Sequence, residues 1–150
     1  MFRVELGPIP CLNISTPDLT VSGFEISGGN AVLRPQGKGT LTLKSGTKLL
    51  KLDLQSETNV IVEDGVIINR PDNGTAVQIQ NGYNTIATGI ISIKGGTING
   101  TLSDSQGNGK IVVEGGSFNC DPTSHLAEGY KATGRTDISP EYIEIAGRKS

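Results

Sequence analysis

The chain has 150 residues, a formal net charge of −2, 35% hydrophobic residues, only 4% aromatic residues and 21 glycines. This length suits one domain, and the interspersed acidic and basic residues indicate neither a nucleic-acid partner nor a basic membrane-binding face. No apolar run approaches the ~18 residues that a membrane span requires, so we expect no membrane insertion.

The N-terminal segment departs from the pattern of the rest of the chain and contains Pro8, Pro10 and Pro17. Because proline is excluded from helix interiors and central strands, we predict an extended arm over residues 1–20 with one strand at Phe2–Leu6. We expect this arm to attach the protein to a larger assembly. Its apolar attachment residues would be Phe2, Val4, Leu6 and Ile9.

A short pattern recurs through residues 21–120 and reads apolar, any, apolar, polar, turn former, Gly. Its six copies begin at Phe24, Leu41, Val60, Val77, Ile91 and Ile111, and their last glycines are 17, 19, 17, 14 and 20 residues apart. Side chains alternate along a strand, so both apolar positions face a core and the polar position faces water. A repeat of this length, with one strand and one corner, is typical of a stacked solenoid. We predict an all-β parallel β-helix of about six short rungs.

Stacking of equivalent strands predicts contacts between side chains of successive rungs. The predicted pairs are Lys44 with Glu63, Lys94 with Glu114, and Asn99 with Asn119. Opposite charges in register on a sheet contribute roughly 0.2–1 kcal/mol each, and stacked amides form ladders.

Several apolar side chains are predicted to point outward, so a single chain would leave apolar surface uncovered. Ile61 lies at an outward position, and the run Val66–Ile68 is apolar on both faces. Closed symmetric oligomers cover such surface, so we predict a homo-oligomer with contacts at Ile61, Ile67 and Val112. The alternative is a monomer whose arm packs over the same residues.

The loops Arg70–Thr75 and Ser103–Gly109 are the predicted protrusions.

The segment 121–150 is predicted to cap the solenoid. Asp121 and Pro122 suit the start of a short helix over Pro122–Glu128, which Gly129 would end. Alternation over Glu141–Ile145 predicts a final strand. A solenoid needs such a cap because its last rung otherwise exposes an unpaired edge.

The run from Gly116 to Ala132, GSFNCDPTSHLAEGYKA, is similar to a segment of parallel β-helix modules in large surface proteins of gut bacteria and in phages of such hosts. The resemblance covers about 20 residues and the looser repeat before them. It implies right-handed rungs closed by a short helix and a Tyr-bearing strand, and it implies no enzyme activity. The resemblance to β-helical fibres also implies a trimer, so we predict that the homo-oligomer is a homotrimer.

Candidate chemistry is sparse, and we predict no catalytic residue, no cofactor and no metal site. The single histidine, His125, falls in the capping segment, where a surface role is expected. Cys11 and Cys120 lie at opposite ends of the sequence and are either free thiols or paired between subunits.

Three functions fit this pattern. The first is a non-enzymatic virion structural protein, a capsid decoration, head fibre or tail-fibre component on the virion surface, whose partners are its own copies and other virion proteins. The second is an adhesin or carbohydrate-binding module, at the bacterial cell surface or extracellular, that binds a glycan. The third, a polysaccharide-active enzyme, rests on fold analogy alone.

Overall fold

The structure, a computed structural model, describes the backbone of residues 2–5, 11–15, 18–27, 32–70, 74–134 and 143–146, and the side chains of residues 18–26, 32–70 and 74–131. The described chain is an all-β parallel solenoid, as the repeat predicted. It passes through three sheets in turn, and we call one such passage a circuit.

The strands of each sheet stack in parallel along the coil. The first sheet contains, in spatial order, β1 (Phe2–Glu5), β4 (Phe24–Ser27), β7 (Lys48–Leu49), β10 (Ile67–Asn69), β13 (Thr97–Asn99), β16 (Ser117–Phe118), β18 (Ile143–Ala146) and β17 (Lys131–Gly134). The second contains β2 (Cys11–Ser15), β5 (Val32–Gln36), β8 (Lys51–Leu54), β11 (Thr75–Gln80) and β14 (Thr101–Gln106). The third contains β3 (Asp18–Val21), β6 (Thr40–Leu43), β9 (Asn59–Val62), β12 (Ile90–Ile93) and β15 (Lys110–Val113). Among the strands that the structure describes, only the β16–β18 and β17–β18 pairs are antiparallel.

The core is built of aliphatic columns that run along the coil axis. In the third sheet one inward column contains Leu19, Leu41, Val60, Ile91 and Ile111. A parallel column contains Val21, Leu43, Val62, Ile93 and Val113. Each fully buried aliphatic side chain contributes about 1.5–3 kcal/mol to the free energy of folding. Phe118, in β16, is also fully buried in this core.

The count of six rungs is wrong in detail, although the solenoid is confirmed. Four copies of the repeat stack on one another in the third sheet, in β6, β9, β12 and β15. The copy at Phe24 lies in the first sheet and the copy at Val77 lies in the second. Each circuit has three corners, so the same apolar-strand-and-turn pattern occurs in more than one sheet.

The predicted division at residue 20, between an extended arm and the solenoid, is not found in the described residues. Strands β1, β2 and β3 pair in parallel with β4, β5 and β6, so they form a circuit of the coil. The sequence Leu19–Gly23 is a shortened copy of the repeat that lacks one residue of the turn. Phe2 and Val4 lie in β1, whereas Leu6 and Ile9 lie outside the described residues.

The cap is a single 3₁₀ turn, Thr123–His125, where the sequence predicted one or two helical turns over Pro122–Glu128. The N-cap is Pro122 and not Asp121 as predicted, although Oδ1 of Asp121 accepts a hydrogen bond from the Thr123 N–H at 3.0 Å. The turn stops early because Leu126 is extended and pairs in parallel with Val113. The predicted last strand is found as β18.

Candidate functional site

The predicted oligomer contacts lie on two different faces of the coil. Ile61 and Val112 belong to one outward column of the third sheet, in which Ser92 lies between them. Ile67 lies in the first sheet beside Lys48 and Thr97 and is 37% exposed. The structure therefore brings Ile61 and Val112 together but places Ile67 on a separate face.

The predicted charge pairing is confirmed at one of its two positions. Nζ of Lys44 lies 3.2 Å from Oε2 of Glu63. Lys94 and Glu114 follow equivalent strands, but no ion pair joins them within 4.0 Å. Exposed pairs of this kind contribute at most about 1 kcal/mol.

An amide ladder forms in the first sheet, with a different partner from the one predicted. Asn99 Nδ2 donates to Oδ1 of Asn69, which is its register partner, at 3.3 Å. Asn119 instead accepts a hydrogen bond at Oδ1 from the Gly100 N–H at 2.8 Å. The prediction of Asn99 beside Asn119 is therefore wrong as a side-chain pair.

The outward face of the second sheet carries a polar network around Asp53, which sequence reasoning missed. Asp53 occupies an outward position yet is only 1% exposed, because neighbouring side chains cover it. Arg34 donates to its Oδ2 from Nε at 3.3 Å and from Nη2 at 3.0 Å. Gln55 donates to the same oxygen at 2.8 Å, and Gln80 donates to both carboxylate oxygens at 3.1 and 3.2 Å. Hydrogen bonds thereby join four side chains from three successive circuits.

Lys51 lies at the start of the same strand, and the charges of this face affect its pKa. Partial burial is the main cause that lowers the pKa of Lys51. Asp53 opposes that change, whereas Arg70 and Arg34 reinforce it by charge repulsion. The face therefore combines one covered carboxylate with three neighbouring basic side chains.

A hairpin projects from the corner between the second and third sheets, beside this polar face. Gly82 and Thr85 form an antiparallel bridge, and Asn84 adopts a left-handed conformation with φ of 65°. Tyr83 at its tip is 94% exposed. The predicted protrusion at Ser103–Gly109 is wrong for most of its length, because residues 103–106 belong to β14. That at Arg70–Thr75 falls largely on residues 71–73, which lie outside the described residues.

A groove of about 640 Å³ separates the last circuit from the cap. Nδ1 of His125 lies 3.3 Å from Oδ2 of Asp104, and the same oxygen accepts a hydrogen bond from the Ile111 N–H at 2.9 Å. His125 therefore ties the capping turn to the last strands, a structural use of the single histidine. Lys110 and Glu128 also line the groove.

No group of three or more His, Cys, Asp or Glu residues is placed to hold a metal ion in the part of the chain that the structure describes. In the same part, no helix is long and apolar enough to cross a membrane. Cys120 is a free, half-buried thiol, and Cys11 lies in β2, where only the backbone is described.

These features define a parallel β-solenoid with a cap at its C-terminal end and an inserted hairpin at one corner. Comparison of the chain with protein families, with curated proteins and with solved structures finds no match.

Proposed function

We propose that the chain is a non-enzymatic structural protein of a virion surface, a capsid decoration, head fibre or tail-fibre component. The observation that carries the proposal is how the coil is built: its core is continuous along the axis, and one end is covered by the cap. Such a coil forms a short rigid projection with one finished end. Asp53 is covered by the side chains that bind it, and Nδ1 of the single histidine, His125, lies 3.3 Å from Oδ2 of Asp104.

Attachment is proposed at the end of the coil opposite the cap, where β1, β2 and β3 are the outermost strands of the three sheets. Phe2, Val4, Leu6 and Ile9 remain the proposed attachment residues, and the first two of them lie in β1 of the first circuit. Sheet ends that present strand edges are suited to docking on another protein.

We propose a homotrimer for the assembled form. A cyclic trimer uses heterologous contacts, in which one face of a chain meets a different face of its neighbour. The separation of Ile67 from Ile61 and Val112 suits that arrangement. The alternative state is a monomer.

The proposal is tested by mass spectrometry of particles and of cell walls purified separately from a culture that produces the protein. The proposal expects its peptides in density-purified particles at a constant ratio to the capsid protein. Peptides confined to the cell-wall fraction would instead favour the bacterial adhesin, a second candidate supported by the polar face around Asp53 and the exposed Tyr83.

A further inference from the structure

One short connection carries most of the exposed apolar surface of the described chain. Large hydrophobic side chains are exposed at Ile67, Tyr83, Ile86 and Ile90. Tyr83 and Ile86 lie in the link between β11 and β12, and Ile90 is the first residue of β12. Side chains that are exposed in this way are only partly removed from water by the chain itself. Their exposure therefore points to a binding partner.

Hydrogen bonds hold the backbone of the hairpin, so the chain presents Tyr83 at a defined place on the coil. The Gly82 N–H donates to the Thr85 carbonyl at 3.1 Å, and Oδ1 of Asn81 accepts from the Ala87 N–H at 3.0 Å. The N–H of Thr88 donates to the Ser56 carbonyl of the preceding circuit at 3.1 Å. A backbone that is already ordered loses little conformational entropy on binding, which favours affinity.

Oriented amide oxygens lie at the base of the same hairpin. Gly82 packs against the side chain of Gln55, and a methyl group at Gly82 would lie 2.7 Å from its Oε1. Gln55 and Gln80 each use Nε2 to donate to Asp53, which fixes the direction of both amides. Their Oε1 atoms accept no hydrogen bond from the described residues, so both remain available as acceptors.

We propose that Tyr83, Gln55 and Gln80 form a glycan-binding site at this corner. A pyranose ring offers a C–H face that packs on an aromatic ring, and hydroxyl donors that pair with oriented amide oxygens. An exposed tyrosine with a polar edge serves both kinds of contact. The inference rests on this surface alone and is independent of whether the protein resides on a particle or on a cell.

The test is an array of purified bacterial capsular and cell-wall polysaccharides and neutral hexose oligosaccharides, probed with the purified full chain. We expect binding to one group of structurally related glycans, with at least a tenfold loss in Tyr83→Ala and retention in Tyr83→Phe. Glu128→Ala, an exposed side chain of the cap outside both the hairpin and the proposed trimer contacts, is the control and should bind normally. Saturation-transfer NMR with the best oligosaccharide should show contact at the tyrosine ring.

No binding to any glycan on the array would overturn the proposal, because the hairpin would then serve a different partner. Binding that Tyr83→Ala leaves unchanged would overturn it too. Since Tyr83 is almost fully exposed, its substitution should leave the melting temperature unchanged, which separates lost binding from lost folding. A blank array with the protein found on particles would remove this site and leave the virion proposal standing.

Discussion

Asp53 and Arg34 are joined across neighbouring circuits of the second sheet, with Oδ2 of Asp53 3.0 Å from Nη2 of Arg34. The carboxylate is covered while the guanidinium remains partly open to water, so the pair lies at the boundary between core and surface. Gln55 and Gln80 donate to the same carboxylate. Asp53 in β8 therefore links Arg34 of β5, Gln55 directly after β8 and Gln80 at the end of β11.

Removal of this carboxylate should destabilise the coil. Asp53→Ala would leave Arg34, Gln55 and Gln80 without their shared acceptor, and we expect a loss of about 2–3 kcal/mol in the free energy of unfolding. Chemical denaturation followed by circular dichroism measures it. Glu57→Ala removes an exposed carboxylate nearby and should change stability little. Equal stability of the two variants would show that the network contributes no net stabilisation.

The strand register predicts opposite outcomes for adjacent positions of β12. Ile93→Asp would bury an unpaired charge in a fully buried aliphatic column, and Val62→Asp would do the same in β9, so both should unfold or melt far lower. Ser92→Asp lies on the outward face and should be tolerated. Equal melting temperatures for all three variants would mean that the register is wrong.

Two corner glycines, Gly89 and Gly129, should respond differently to substitution by alanine, the first because of steric overlap and the second because of its backbone conformation. A Cβ at Gly89 would overlap the Thr58 carbonyl of the circuit below, so Gly89→Ala should force neighbouring circuits apart. Gly129 has φ of +89° but no atom within 4 Å of a built Cβ, so Gly129→Ala should cost only the left-handed backbone term, about 1–2 kcal/mol. Denaturation should rank Gly89→Ala as the more destabilised variant, and the reverse order would contradict close stacking at this corner.

Protonation of Asp121 should weaken the start of the cap. The hydrogen bond from the Thr123 N–H, with help from the Thr123 side chain, lowers the pKa of Asp121 from its ordinary value of 3.8. A lowered folded-state pKa means that the stabilisation is present above 3.8 and is lost as the pH falls through the lower, folded value. The difference in melting temperature between wild type and Asp121→Ala should be small, since the group is exposed, and should shrink at acid pH. A difference that grows below pH 3.8 would contradict this assignment.

The proposed trimer should depend on the third-sheet column that contains Ile61 and Val112. A Lys at either position would place a charge in the proposed contact, so Ile61→Lys and Val112→Lys should shift the species measured by light scattering from trimer toward monomer. Ile86→Lys, on the hairpin, is the control and should remain trimeric. Wild-type protein that is monomeric at micromolar concentration would remove the trimer from the proposal.

Local patterns in the sequence predicted the coil because strand alternation and corner glycines repeat within a few residues. The same patterns predicted Lys44 beside Glu63, since both follow equivalent strands of the third sheet. The polar network was not predicted, because the burial of Asp53 depends on side chains from β5 and β11 and from the end of β8. The hairpin was not predicted, because Gly82 completes a copy of the repeat and therefore fits an ordinary corner.

Residence on a virion is tested most directly by immunogold electron microscopy of intact, density-purified particles with an antibody raised against residues 81–89. The hairpin is exposed, so the epitope should be accessible without disruption of the particle. We predict gold at regular positions on the capsid or tail surface, with the label lost from particles that lack the protein. Label found only on bacterial cell walls, or only after particles are disrupted, would contradict a role on the virion surface.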